Sequence, residues 1–175
     1  QTIAPSMMPP QQEQSTPTTT APSSSPPSSP SNIKCITTLN PTTPTGMGMS
    51  IAWDCTFSPD GNLLATCHGS PSPRIQVWQI SYIDSDSDSD PDSGEYEFTH
   101  LQTLSDVHER TVRSISFHPS SRILASASFD GTVGIWEKNN ADFWDCSSQI
   151  EGHENEVKGV VWSRSGMLLA TCGRD

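Results

Sequence analysis

The sequence predicts an all-β protein assembled from a repeated unit of short strands, and three observations carry that prediction. The first is internal repetition. "TVRSISFHPSSRILASASFD" (111–130) lies over "EVKGVVWSRSGMLLATCGRD" (156–175) without a gap, so His108 and His153, Phe117 and Trp162, and Asp130 and Asp175 each stand 45 residues apart. The second is local pattern: short runs rich in Val, Ile, Ser and Thr alternate with turn signals such as "HPSSR", "SRSGM" and Asp-Gly. The third is that no stretch carries the apolar spacing of an amphipathic helix.

Taken in order, residues 1–31 are nearly all Pro, Ser, Thr and Gln, with Glu13 the only charge. Such a segment cannot bury enough apolar surface to offset its ordering entropy, so a disordered tail is expected. It lacks the basic start and apolar run of a secretory signal. "IKCITTL" (33–39) has strand composition. The first repeat copy follows, "IAWDCTFSPDGNLLATCHG" (51–69), with Phe57 under Phe117. A first blade over about 32–83 is expected. "DSDSDSDPDSGEYE" (84–97) holds seven acids and no base, and reads as a solvated acidic insertion between blades. It also resembles sites for acidophilic kinases. A second blade is expected over about 98–138. A partial third covers about 143–175, where the phrase completed by "GTVGIWE" in the second copy ends at Asp175. The strands carry small or apolar residues on both faces, which suits sheets packed on both sides.

A period near 40–45 residues, a His ahead and a Trp behind, form the WD-repeat pattern of a β-propeller blade. Its physical basis is one buried hydrogen-bonded chain through a His, a Ser or Thr, a turn Asp and a Trp. In the second copy these are His108, Ser126, Asp130 and Trp136, and in the third His153, Thr171 and Asp175. The first copy keeps Thr66 and Trp78 but has Gly48 at the His position and "SPSP" at the turn, so its chain is degenerate. About two and a half blades cannot close a ring, so part of a longer propeller is expected.

Beyond the generic repeat, "RTVRSISFHPSSRILASASFDGTVGIWEK" (110–138) and "EGHENEVKGVVWSRSGMLLATCGRD" (151–175) resemble the WD-repeat subunit of the cytosolic iron–sulfur protein assembly machinery, in a fungal-type form. The resemblance implies a seven-bladed propeller without a catalytic centre or cofactor. It would be a docking subunit that serves cluster delivery to cytosolic and nuclear apoproteins. Its implied partners are a small adaptor subunit, a HEAT-repeat subunit and an iron-only-hydrogenase-like carrier. A WD-repeat adaptor of another pathway, such as a ubiquitin-ligase substrate receptor or a chromatin subunit, stays open. A propeller enzyme has no nucleophile–base spacing to support it.

Composition narrows the partners. The net charge is −11, and the seven acids of 84–97 leave −4 for the rest, so no basic field awaits nucleic acid or anionic lipid. No run approaches the roughly 20 apolar residues of a membrane span. Five widely spaced cysteines without a C-x-x-C pair fit reduced thiols in a cytosolic or nuclear protein, and no metal site. Cys55, Cys67 and Cys172 align with Ile115, Ala127 and other apolar positions, so a core role is expected. His68, His100 and His118 share no motif and read as surface residues. Protein partners are expected on one rim, where the first strand opens and the turn Asp is approached. Trp53, Thr111, Arg113, Phe129, Glu156, Lys158 and Arg174 take those positions, with Trp and Arg the usual anchors.

Overall fold

The computed structural model describes residues 37–39, 51–83 and 95–175, and these contain strands and turns without a helix. The tail 1–31, most of "IKCITTL", and 84–94 of the acidic run lie outside the described residues. Thr37–Leu39 carry no strand.

The strands form three antiparallel meanders. β1 (Ala52–Phe57), β2 (Leu63–His68), β3 (Arg74–Ile83) and β4 (Glu95–Leu104) make the first sheet, in that order. β5 (Val112–Phe117), β6 (Ile123–Ser128), β7 (Val133–Lys138) and β8 (Trp144–Ile150) make the second. β9 (Val157–Trp162) and β10 (Leu169–Gly173) make the third. The turn between the first two strands is the same in each. Gly61, Ser121 and Gly166 take positive φ of 76°, 60° and 73°, and each donates its N–H to the carbonyl three residues back at 2.9 Å. Glycine adopts that conformation freely, whereas Ser121 adopts it against its Cβ.

Two expected boundaries move. The repeat unit 98–138 runs from β4 to β7, but β4 pairs with β3, so the sheets are offset by one strand from the repeat. The second sheet therefore spans Val112–Ile150 instead of 98–138. The acidic insertion is also shorter than 84–97. Glu95, Tyr96 and Glu97 pair with Ile83, Tyr82 and Ser81 inside β4, because alternating Tyr and Phe residues extend the hairpin beneath the charges.

The core explains why each strand reads apolar on both faces. Ala65, Cys67, Ile75, Val77 and Leu104 of the first sheet pack with Val112, Ile115, Phe117, Leu124, Trp136 and Trp144 of the second. The opposite face of the second sheet, Ala125, Ala127 and Val133, packs with Val157 and Val160 of the third. Polar ties bind the sheets as well. Asp54 accepts from Ser114 Oγ at 3.0 Å and from the N–H of Ile115 at 3.1 Å. At the outer strands the Gln102 amide donates to the carbonyl of Trp144 at 2.8 Å and accepts from its N–H at 2.9 Å. His118 Nε2 donates to the carbonyl of Gly166 at 3.2 Å, and its ring meets Trp162 edge-on.

The core role expected for three cysteines holds for Cys67 alone. Cys67 is fully buried, and burial raises its thiol pKa to about 12. Cys55 and Cys172 are exposed, because among the described residues no sheet covers the outer faces of β1 and β10. Phe57 on β1 and Val161 on β9, the strand paired with β10, are exposed as well.

Candidate partner-binding face

The second sheet builds its polar chain from four elements. Trp136 Nε1 on β7 donates to Ser126 Oγ on β6 at 2.9 Å. Ser126 Oγ lies 2.7 Å from Nε2 of His108, which hangs from the β4–β5 connection. Nδ1 of the same ring lies 3.1 Å from the Asp130 carboxylate at the β6–β7 turn. The donor order assigns the tautomer: Trp to Ser, Ser to Nε2, and Nδ1–H to Asp130. Thr132 Oγ1 adds a 2.6 Å bond to the carboxylate, and the N–H of Glu109 adds another at 3.0 Å. Burial alone would raise the Asp130 pKa. The hydrogen bonds from His108 and Thr132 outweigh it and hold the carboxyl well below the usual range. Gly134 makes room for the ring, since a Cβ there would stand 2.9 Å from Ser126 Oγ and 3.1 Å from His108 Nε2.

The third sheet repeats the arrangement. His153 Nδ1 meets Asp175 at 2.8 Å and Nε2 meets Thr171 Oγ1 at 2.8 Å. The His153 bond lowers the Asp175 pKa. The first sheet differs. Trp78 Nε1 donates to Thr66 Oγ1 at 3.4 Å, and that hydroxyl meets Nε2 of His68 at 3.1 Å. His68 is therefore not the surface residue its lack of a motif suggests, and only 2% of it is exposed. Gln76 pairs with Thr66 as Gly134 pairs with Ser126, so a long, fully buried side chain stands where the second sheet has none. Thr171 and Asp175 are exposed, unlike their counterparts Ser126 and Asp130. His100 is half-buried against Trp78, with ring centroids 5.1 Å apart.

The rim residues owe their direction to a shared irregularity. The β1–β2 register skips Trp53, the β5–β6 register skips Arg113, and the β9–β10 register skips Lys158. Each is the extra residue of a β-bulge, which re-aims a side chain. The Arg113 guanidinium lies over the Trp53 ring, 5.5 Å from its centroid, and the Phe129 ring meets Trp53 edge-on at 6.1 Å. Thr111 stands beside them, with the N–H of Phe129 donating to its carbonyl. Trp53 stays 41% exposed. A second group follows. Glu156 accepts from Arg110 at 3.1 Å and pairs with Arg174 at 3.6 Å, and these bonds lower its pKa, that from Arg110 foremost. Lys158 is exposed beside them. The structure thus gathers Trp53, Thr111, Arg113 and Phe129 in one cluster and Glu156 and Arg174 in another. Arg110 joins the two, donating to the carbonyl of Phe129 at 2.6 Å. Its position in the third copy holds Asn155, so no repeated residue type marked it.

Four-stranded antiparallel meanders stacked face to face, each tied through a Trp–Ser/Thr–His chain, define a WD-type repeat protein. The model of the WD domain, G-beta repeat family matches residues 33–79, 98–137 and 144–175, and the chain belongs to that family. It is similar to the "Probable cytosolic iron-sulfur protein assembly protein 1" of Candida glabrata, 40% identical over 131 residues, covering 70% of this chain and 34% of the relative. The protein of the same name from Cryptococcus neoformans is 34% identical over 156 residues, covering 71% of this chain and 35% of the relative. A "Probable cytosolic Fe-S cluster assembly factor" of Schizosaccharomyces japonicus is 50% identical over 76 residues, 43% of this chain and 12% of the relative. The chain thus spans about a third of the length of the first two relatives. Among the described residues no group of three or more His, Cys, Asp or Glu could hold a metal ion, and no helix is long and apolar enough to cross a membrane.

Proposed function

We propose that this chain is part of a non-catalytic, cytosolic WD-repeat scaffold that serves the assembly of iron–sulfur proteins. The observation that carries the reading is the similarity to fungal proteins bearing that name, over 70% of the chain. The buried His–Ser–Asp–Trp chain acts as a structural brace: its hydroxyl is fully buried and has no approach for a substrate. The docking face is the rim of Trp53, Thr111, Arg113 and Phe129, continued by Glu156, Lys158 and Arg174. An exposed Trp stacked under an Arg is the type of anchor that dominates protein interfaces. The partners are those that the resemblance implies: an adaptor subunit, a HEAT-repeat subunit and a hydrogenase-like carrier, in the cytosol and nucleus. The whole ring has seven blades.

The test is affinity purification of the tagged protein from its own cells, with and without Trp53→Ala and Arg113→Glu. Recovery of iron–sulfur assembly factors, reduced by the rim variants, is the expected result. Recovery of ubiquitin-ligase or chromatin subunits in their place would transfer the protein to another pathway.

A further inference from the structure

The β3–β4 hairpin does something that the second sheet's β7–β8 hairpin does not. β2 accompanies β3 only as far as the Leu63↔Gln79 pair. Beyond it β3 and β4 continue alone through Ile80↔Phe98, Ser81↔Glu97, Tyr82↔Tyr96 and Ile83↔Glu95. Along this arm is a cavity of about 440 Å³, lined by Trp78, Tyr96 and Phe98 together with Glu95 and Glu97. Its remaining walls are Thr37–Leu39 and Ile83, so none of its lining residues is basic. Tyr96 is 45% exposed, and its ring centroid lies 5.2 Å from that of Tyr82.

We propose that this cavity is a binding site for a lysine or arginine side chain carried on an extended segment of a partner protein. Three features point the same way. Aromatic rings present a negative face to a cation, and carboxylates beside them add a directed charge. Charge complementarity extends beyond the cavity: the chain from Ile83 to Glu95 contributes Asp84, Asp86, Asp88, Asp90 and Asp92, and it leaves and returns at two paired residues. That negative field attracts a basic partner from a distance and is screened by salt. The occupant is a protein segment because the cavity is several times larger than one ammonium group, and because β4 is the outermost strand of its sheet. An extended segment lying there keeps its backbone beside a strand while one basic side chain enters. The site is separate from the bulge-borne rim and does not depend on the iron–sulfur reading.

Calorimetric titration of the protein with a short neutral peptide bearing two lysines tests this, using the same peptide with both lysines acetylated and free lysine as probes. The lysine peptide is expected to bind, the acetylated peptide and free lysine much more weakly. Tyr96→Leu should weaken binding roughly three- to tenfold. Glu95→Gln with Glu97→Gln should weaken it by at least about fivefold. All three side chains are exposed, and circular dichroism verifies that the variants fold. A variant with the five Asp of 84–92 changed to Asn separates cavity from field. It should slow association and reduce salt dependence while the preference for lysine over acetyl-lysine persists. If that variant abolishes binding while Tyr96→Leu and the double Gln variant leave it unchanged, the acidic run alone holds the peptide and the proposal is wrong. Equal binding of the acetylated peptide, or of free lysine, would also overturn it.

Discussion

The first and second sheets pair their strands in the same order, yet they hold their buried polar groups by different means. In the second sheet a connection outside the strands delivers His108, and a chain of donors ends on a carboxylate held by several further bonds. In the first sheet the chain is shorter. It runs from Trp78 through Thr66 to His68, all three on strands of the same sheet. Gln76 stands at the register position of Gly134, the residue that makes room for the His108 ring. The difference teaches that one sheet order accommodates more than one buried polar arrangement, and not only a particular set of four residues. Two arrangements are written into one chain.

The strongest way to break this comparison is to write one solution into the other. Gly134→Gln brings a long side chain against Ser126 and His108, where even a Cβ stands at 2.9–3.1 Å. A loss of about 1–3 kcal/mol in urea unfolding is expected from overpacking. Adding His108→Gly makes the second sheet resemble the first, which has Gly48 at that position. The double variant should then lose less than the sum of the two singles, by about 0.5–3 kcal/mol. Strict additivity would mean that the two sites are not alternatives.

Next in size is Asp130→Ala, which orphans His108 and should cost about 1–3 kcal/mol. Its pH dependence carries a sign. Folding lowers the Asp130 pKa below the ordinary carboxylate value. Its contribution is therefore fully present above the unfolded value and is lost as the pH falls below about 4 toward the folded value. The gap between wild type and variant should close on acidification, as followed by urea midpoints between about pH 6 and pH 2. A gap that widens would reverse the assignment.

The first sheet should be less sensitive. Its Trp78–Thr66 bond is 3.4 Å long, against 2.9 Å for Trp136–Ser126. Thr66→Ala is expected to cost below about 1 kcal/mol, and Ser126→Ala more, about 1–3 kcal/mol. Parallel melts of the two variants rank them. The smallest effect belongs to the rim. Trp53→Ala removes an exposed ring and one cation–π contact, for about 0.5–1 kcal/mol. A larger loss in the thermal midpoint would make Trp53 part of the fold's support and weaken its role as an anchor.

The strands were legible in the sequence because their alternation and turns are local. "VRSISF", "ILASAS" and "VKGVVW" coincide with β5, β6 and β9 residue for residue. The His108 chain was legible because its members repeat at fixed spacing. The bulges were not, since a one-residue slip of register leaves no mark in composition. His68 escaped because it solves the first sheet's problem from a position that holds Ser128 in the second copy, so alignment gave it no partner. Cys55 and Cys172 misled for the opposite reason. Alignment transfers a position on a strand, but burial depends on whether another sheet lies over that face. Glu95–Glu97 were masked by charge, although Tyr96 and Phe98 keep the alternation of a strand.

The ties between the first two sheets lie at two radii. Asp54 clamps the innermost strands, β1 to β5, and the Gln102 amide clamps the outermost, β4 to β8. A single tether at either edge would leave a hinge, about which the sheets could splay like the pages of a book. Two tethers separated by the width of a sheet remove that degree of freedom, because opening at one edge must stretch the other. Torque applied at the rim is therefore passed to the outer strands with little lost to flexing, so the pair turns as one lever.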